Sequence, residues 1–417
     1  MKLWMKYTLS AAFGLILALL IPENQIFDGT LTVIAELTLR AGRFLVFPLA
    51  FFSLSISVCQ LRRSGDLWKV LLRLLGLSAA AAFLYTLVAV GLSFIIPVQR
   101  IPILTDSSGW QSAIPFRNRI FNPGTAEYLR GLIPVNGFEI FHTAGNFILP
   151  ALLFAFFLGT QLYHDKEEAE PVYNLFDSFS RMFYKMTGLF TSFLAFTLFS
   201  LSFDAVRHIR QIPDLGSYFT LIRLVAVASV IILFILQPLA VYLLTRKNPY
   251  REMMTFLPGM ISAMFSGDNF INMLVMTKTL KENGGVKRKL SALSLPFFTL
   301  FSRSGSALIT AVSMLTILKS YSSLELTAFQ VFWVIGISII VSYTLFSQSY
   351  LGVYTALITA CAFYGRGLVD GYILILPVLP ILILIAGLLD AVNSAYLTLC
   401  FSYDKELRIA EEPEDFI

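Results

Sequence analysis

The stretch from Phe256 to Thr277 reads F-L-P-G-M-I-S-A-M-F-S-G-D-N-F-I-N-M-L-V-M-T, and a polar Ser-Gly-Asp-Asn step divides it near its middle. Each half has about ten residues, whereas a helix needs roughly 17–25 to cross a bilayer. Backbone that reverses inside a membrane must be satisfied by protein or by a water-filled cavity. The stretch therefore predicts a re-entrant helical hairpin with its tip at residues 266–269.

The next apolar stretch, residues 293–312, is long enough to span a membrane, but Ser302-Arg303-Ser304-Gly305-Ser306 interrupts it. An arginine at mid-depth costs from ~2.5–3.5 up to ~10–17 kcal/mol, so Arg303 must face a partner or a cavity. We expect this break and the hairpin tip to form the functional centre together.

Composition points to a polytopic membrane protein. The chain has 417 residues, of which 57% are hydrophobic and 14% charged, and its mean hydropathy is +0.74. Soluble domains carry about 25% charged residues. The basic residues lie in short loops, where they act as topology signals, so nucleic acid is not an expected partner. No spacing typical of a catalytic triad, a zinc protease, a phosphate-binding loop or a cysteine–metal site is present, and neither an enzyme nor a cofactor is predicted.

The apolar pattern predicts an all-helical protein with eight spans and two re-entrant hairpins. The spans are 3–21, 35–61, 70–97, 131–163 (broken), 172–203, 218–244, 293–312 and 372–401, and the hairpins are 256–277 and 326–364. The second hairpin has its predicted tip at Ser347-Gln348-Ser349-Tyr350, and residues 98–130 are expected to form a long surface loop or a flexible insertion.

Charge sets the predicted orientation. With both termini in the cytoplasm, most basic loops lie inside, as the positive-inside bias requires. The two hairpins then enter from opposite faces, which is the inverted-repeat layout of a secondary transporter with its site near the midplane. The predicted location is the inner (cytoplasmic) membrane.

Several motifs in order resemble one family. They are Arg43-Phe44-Leu45-Val46-Phe47-Pro48-Leu49, Leu132-Ile133-Pro134-Val135-Asn136-Gly137-Phe138-Glu139, the stretch 257–275, Lys281-Glu282-Asn283-Gly284 and Leu295-Pro296. From residue 13 to about residue 400 the chain resembles the glutamate/aspartate transporters, also called dicarboxylate/amino acid:cation symporters. The resemblance implies an elevator-type homotrimer in the lipid bilayer. Residues 1–250 would be mainly scaffold, residues 251–403 the moving transport core, and residues 404–417 a cytoplasmic tail.

The family's functional residues carry over only in part. Asp390 falls where the family has the aspartate that holds a substrate amino group. Asn393 falls where it has the arginine for a distal carboxylate, and Ser394 replaces a threonine. Leu397 and Phe401 replace an asparagine and a cation-binding aspartate.

The family's sodium ligands are mostly replaced. Its N-M-D-G-T break falls on residues 302–306, and a tyrosine of its third span falls on Leu74. A hard cation needs several oxygen ligands. Our hypothesis is that the guanidinium of Arg303 substitutes for bound sodium and pairs with Asp390 or Asp268. The coupling ion stays open between sodium, protons and none.

The predicted site comprises seven binding residues and three gate residues: Asp268, Asn269, Arg303, Ser306, Asp390, Asn393 and Ser394, with Ser347, Gln348 and Ser349 as the gate. Two roles stay open for four of them. Arg303 is an anion receptor or half of a structural ion pair, and Asp268 is a gate ligand or a helix cap. Asp390 is a substrate or proton site or a structural partner, and Asn393 is a substrate contact or a link between helices. Arg43 is expected to snorkel or to pair at a subunit surface.

The predicted function is secondary active transport of a small amino acid or carboxylate. The alternative is a degenerate homologue that acts as an anion-conducting channel or a ligand sensor.

Overall fold

The computed structural model describes residues 2–102, 148–163, 166–212, 214–246, 248–322, 326–347, 351–365 and 367–403. All helices in this part of the chain are named here in order. They are α1 (Leu3–Leu20), α2 (Gln25–Ser64), α3 (Leu67–Ile95), α4 (Leu149–Gln161), α5 (Lys166–Arg210), α6 (Phe219–Ile231), α7 (Gln237–Thr245), α8 (Pro249–Thr255), α9 (Leu257–Ser266), α10 (Asn269–Glu282), α11 (Arg288–Phe301), α12 (Ser304–Tyr321), α13 (Ala328–Ser342), α14 (Gly352–Tyr364) and α15 (Leu379–Ser402). A π turn joins α6 to α7, and 3-10 turns follow α13 and precede α6 and α15.

Helices α2 and α5 are longer than the apolar pattern predicted. Helix α2 begins ten residues before the predicted span 35–61, because the side chain of Asn24 accepts hydrogen bonds from the N–H groups of Ile26 and Phe27 and so caps the helix. It ends at Ser64, and the following residue, Gly65, adopts the left-handed conformation (φ 78°) that closes a helix. Polar residues in the first and last turns extend both helices beyond their apolar centres.

Small residues bring the first helices into close contact. A Cβ placed on Gly14 of α1 would lie 2.1 Å from the carbonyl oxygen of Phe199 on α5, and one on Gly159 of α4 would lie 2.4 Å from that of Ser55 on α2. The hydroxyl of Tyr7 donates to the carbonyl of Thr191 across the same α1–α5 contact. Helices α1, α2, α4 and α5 therefore form one tightly packed group.

Eight helical segments of the described chain are long and apolar enough to cross a membrane. This confirms an all-helical fold with eight candidate membrane helices. One of the eight is not among the predicted spans. The eight include Ala328–Leu345, which the pattern assigned to an arm of the second hairpin. The described part of predicted span 131–163 is α4, whose 13 residues form a helix of about 20 Å.

Helices α9 and α10 form an antiparallel hairpin whose turn is at Gly267 and Asp268. Near the turn, the hydroxyl of Ser262 donates to Oδ1 of Asn272 at 2.9 Å. At the open end, the amide of Asn283 donates to the carbonyl of Thr255 at 2.8 Å. These two contacts hold the arms of the hairpin together at both ends.

Helices α13 and α14 also lie side by side. The amide of Gln330 donates to the hydroxyl of Tyr364 at 3.1 Å, and the rings of Trp333 and Tyr364 make an edge contact at 5.0 Å between centroids. The start of one arm thus contacts the end of the other. Residues 348–350, which include the predicted tip residues Gln348 and Ser349, lie outside the described residues.

Helix α12 lies at the centre of the molecule. Its apolar window within Leu290–Tyr321 is 94% buried, the highest value among the candidate membrane helices. Helix α12 packs against α3 on one side and α15 on another. The break before α12 is therefore surrounded by protein.

Candidate functional site

The first hairpin, the break before α12 and the middle of α15 meet at one point. Gly267 has φ of 59°, which lets the chain reverse between α9 and α10. A Cβ placed on Gly387 of α15 would lie 2.8 Å from the Cα of Gly267, and one on Gly305 would lie 2.4 Å from the Cβ of Leu389. Glycine at 305 and 387 is what allows the three elements to come this close.

Asp390 caps the start of α12. Its Oδ1 accepts hydrogen bonds from the N–H groups of Gly305 at 2.7 Å and Ser306 at 3.1 Å. Its Oδ2 accepts from the hydroxyl of Ser306 at 2.6 Å and from the amide of Asn269 at 3.5 Å. A carboxylate at a helix N-terminus satisfies exposed N–H groups and matches the helix dipole. Asp390 thus links the hairpin tip, α12 and α15.

Asn393 holds the two ends of the break together. Its amide nitrogen lies 3.2 Å from the carbonyl oxygen and 2.8 Å from the hydroxyl of Ser302, and 3.1 Å from the hydroxyl of Ser304. These three contacts connect α15 to both sides of the break. The hydroxyl of Ser394 donates to the carbonyl of Ala391 within α15.

Arg303 is the largest side chain among those the structure buries almost completely, with 1% of its surface exposed. Its Nε–H donates to the carbonyl of Thr299 at 3.0 Å. Its Nη1 lies beside the start of α14, since a Cβ placed on Gly352 would be 3.6 Å from Nη1 and 3.8 Å from the hydroxyl oxygen of Ser306. Its charge interacts with those of Asp390 and, less strongly, Asp268.

Asp268 forms its ion pair with Arg43 of α2. Its Oδ2 lies 2.8 Å from Nε and 2.7 Å from Nη2 of Arg43. Its Oδ1 accepts from the N–H groups of Phe270 at 2.9 Å and Ile271 at 3.4 Å, so Asp268 is also the cap of α10. The expectation that Arg43 snorkels or pairs at a subunit surface is wrong, because Arg43 pairs inside the chain. Asp268 is likewise not the direct ion-pair partner of Arg303.

The side-chain amide oxygen of Asn269 is a buried hydrogen-bond acceptor at the meeting point. Only 4% of the residue is exposed, and within the described chain its Oδ1 has no hydrogen-bond partner. Buried polar atoms are normally satisfied. This oxygen, next to the carboxylate of Asp390, could accept a hydrogen bond from a bound molecule.

The structure brings together six of the predicted binding residues, while Ser394 bonds within its own helix. Of the predicted gate, Ser347 ends the 3-10 turn after α13, and Gln348 and Ser349 lie outside the described residues. The motif at residues 132–139 also lies outside them. Gly352, beside the guanidinium of Arg303, was not among the predicted residues, because a glycine at a helix start carries no local signal of a distant arginine.

Two of the positions at which the resemblance implies sodium ligands are apolar and packed. Leu74 and Phe401 are both buried in the main hydrophobic core, where the resemblance implies a phenol and a carboxylate. The carboxylate that does lie at the meeting point, Asp390, already accepts four hydrogen bonds. These residues do not fit a sodium cage of the family's kind.

A family model described as the sodium:dicarboxylate symporter family matches residues 3–400. The chain belongs to this family. It is therefore a multi-pass membrane protein from a family of transporters rather than enzymes, which confirms the resemblance seen in the sequence.

Similarity to individual relatives is low. Neutral amino acid transporter A of Bos taurus is 27% identical over 233 residues, which cover 54% of this chain and 41% of the relative. An excitatory amino acid transporter of Caenorhabditis elegans is 22% identical over 197 residues, covering 47% and 38%. Excitatory amino acid transporter 1 of Homo sapiens is 23% identical over 187 residues, covering 45% and 34%. The chain thus spans less than half the length of these curated relatives.

Proposed function

We propose that this protein is a secondary transporter that moves a small amino acid or carboxylate across the membrane. The observation that carries the proposal is the buried meeting point of the hairpin tip, the break before α12 and the middle of α15. Arg303 and Asp390, two charged side chains on different elements, are both buried there. Ionisable groups buried in membrane proteins typically mark substrate or ion pathways.

The substrate would bind between Arg303, Asn269 and the start of α14. Arg303 supplies a guanidinium for a carboxylate, and Asn269 supplies an amide oxygen. Asn393 and Ser302 would support the site by fixing the break, without contacting substrate.

The lengths of the hairpin arms support re-entrant insertion. Helices α9 and α10 have 10 and 14 residues, or about 15 and 21 Å, against a hydrocarbon core of about 30 Å. Such arms would bring the tip at Gly267 and Asp268 to mid-depth. We propose that the first hairpin's open end, both termini and the basic turn after α10 lie on the cytoplasmic side of the inner membrane, because this orientation follows the positive-inside bias.

Transport would move residues 251–403 as a core against a scaffold within residues 1–250, in a homotrimer. The Arg43–Asp268 ion pair joins these two parts at the hairpin tip. An elevator movement of the core would have to separate the pair and form it again in each cycle. Rigid-body movements of this kind repack interface ion pairs in other proteins.

Coupling to sodium is not part of the proposal. Arg303 provides a permanent positive charge at the break, and Leu74 and Phe401 replace oxygen ligands with hydrocarbon. A guanidinium stays charged at any physiological pH. We therefore propose that uptake proceeds without sodium, either driven by protons or uncoupled.

Uptake by the purified protein in proteoliposomes tests this function. Radiolabelled amino acids and carboxylates would be offered in sodium-free buffer, with and without a pH gradient, and again with a sodium gradient. Accumulation above the outside concentration in sodium-free buffer supports the proposal. Strict dependence on sodium contradicts the role given to Arg303, and purely downhill current supports the alternative of an anion channel.

A further inference from the structure

The hydrogen bonds around the two carboxylates of the site limit what it can bind. A carboxylate has two oxygens with about four acceptor positions between them. Asp390 accepts from Gly305 N–H, Ser306 N–H, Ser306 O–H and the amide of Asn269. All of its acceptor positions are used by the protein itself.

Asp268 is occupied in the same way. One oxygen receives both Nε and Nη2 of Arg43, and the other receives the N–H groups of Phe270 and Ile271. The other acidic side chains described between residues 256 and 403 are Glu282, at the far end of α10, and Asp370, before the 3-10 turn that precedes α15. Neither carboxylate therefore has an acceptor position open to an ammonium group. Oδ1 of Asn269 could accept one of its three N–H groups, but the ammonium charge would lie beside Arg303 without a carboxylate to pair with, which is costly in a buried place.

Two guanidinium groups lie near the meeting point: that of Arg43 is paired with Asp268, and that of Arg303 lies beside the start of α14. The other basic side chains described between residues 256 and 403 lie far along their helices or in the turn after α10: Lys278, Lys281, Lys287 and Lys319. From Ser306 to Lys319 the rise along α12 is about 20 Å. One guanidinium matches one carboxylate, and a second buried carboxylate without a partner is costly.

We propose that the site selects small monocarboxylates that carry no ammonium group and no second carboxylate. This inference rests on the proposed function and specifies its substrate class. The carboxylate of the ligand binds Arg303 beside the start of α14. A neutral hydroxyl on the next carbon donates to Oδ1 of Asn269, the buried acceptor without a partner in the described chain.

Four small probes separate the possibilities, and L-lactate and L-alanine, with six non-hydrogen atoms each, form the size-matched pair. L-lactate carries one carboxylate and a hydroxyl, L-alanine carries an ammonium in place of the hydroxyl, succinate carries a second carboxylate, and L-aspartate carries both additions. Each is tested on the full chain by thermal stabilisation of the purified protein and by uptake into sodium-free proteoliposomes. We expect L-lactate to bind at least about tenfold more tightly than the other three, because buried groups left unpaired discriminate strongly.

The outcomes distinguish the inference from the function on which it rests. Preferred binding of L-alanine, succinate or L-aspartate leaves a small-molecule transporter standing and overturns the monocarboxylate assignment. Absence of both stabilisation and uptake for all four probes overturns the proposed function and the inference together.

A variant tests the cause of the selectivity. Ser306→Ala removes the hydroxyl donor from Oδ2 of Asp390 and so opens one acceptor position for an ammonium group. The matched control is Ser313→Ala, which removes another buried hydroxyl from the same helix. We expect the ratio of L-alanine to L-lactate affinity to rise several-fold in Ser306→Ala and to stay constant in Ser313→Ala. An unchanged ratio in Ser306→Ala, in a variant that still binds L-lactate, would refute the role of Asp390 in excluding ammonium.

Discussion

At the scale of single residues, Arg303 and Asp390 are both buried charged side chains, but they make different contacts. Asp390 completes the hydrogen bonding at the start of α12, so its removal affects the fold. Arg303 donates one N–H to Thr299 and directs Nη1 toward the start of α14. The guanidinium is therefore the charge that a ligand would share, whereas the carboxylate is mainly a cap.

Replacing Arg303 by glutamine should weaken ligand binding while the protein still folds. Hydrogen bonds to a charged group contribute about 1.5–3 kcal/mol, which corresponds to about a 10- to 100-fold loss of carboxylate affinity. Ligand-induced thermal stabilisation measures the effect. The matched control is Arg207→Gln, since Arg207 is also buried but bonds to carbonyl groups at the end of α1. Equal ligand binding in both variants would contradict the role of Arg303.

At the scale of elements, the hairpin tip depends on glycine in α15. Gly387→Ala should destabilise the protein by about 1–3 kcal/mol, because the new methyl group would overlap the backbone of Gly267 at 2.8 Å. Gly76→Ala in α3 is the control. A Cβ there meets nothing within 4 Å, so alanine should stabilise that helix by about 0.5–1 kcal/mol. Thermal unfolding measures the stability of both variants. A Gly387→Ala variant as stable as the unchanged protein would disprove the close contact.

The Arg43–Asp268 pair should behave as one unit in a double-mutant cycle. Either Arg43→Gln or Asp268→Asn leaves the other charge without its partner in a largely buried place, which destabilises by about 3–5 kcal/mol. The double variant removes both charges and should lose less than the sum of the single losses. Melting temperatures of the four proteins give the coupling energy. Additive losses would mean that the two side chains do not interact in the membrane.

How much could be predicted from the sequence differed between elements. The tip and the break were predicted at the right places, because Ser266–Asn269 and residues 302–306 interrupt apolar runs locally. The Arg43–Asp268 contact joins residues 225 positions apart, and no local pattern encodes such a pair. The four hydrogen bonds that Asp390 accepts depend on where the start of α12 and the hairpin tip lie in the folded protein. Roles that need tertiary contacts therefore emerged only from the structure.

At the scale of the whole molecule, the ion pair offers a way to stop the proposed movement. Cysteines placed at positions 43 and 268, in a background without Cys59, Cys361 and Cys400, should be joined by a short bifunctional thiol reagent. Linking α2 to the hairpin tip should block uptake into proteoliposomes, while ligand-induced stabilisation persists because the residues proposed to contact the ligand, Arg303 and Asn269, are unchanged. Reversal of the link should restore uptake. Undiminished uptake by the linked protein would show that the hairpin and α2 need not separate.

The cap that Asp390 provides has a consequence for biosynthesis. Asp390 follows Gly305 by 85 residues, so the start of α12 leaves the ribosome well before the side chain that satisfies it. At about 5–20 residues per second, the delay is roughly 4–17 s. During that interval the nascent helix must keep its first N–H groups near water or a chaperoning surface. Completion of the last helix would then trigger the docking of a segment made much earlier, which makes assembly of the centre a late, concerted event.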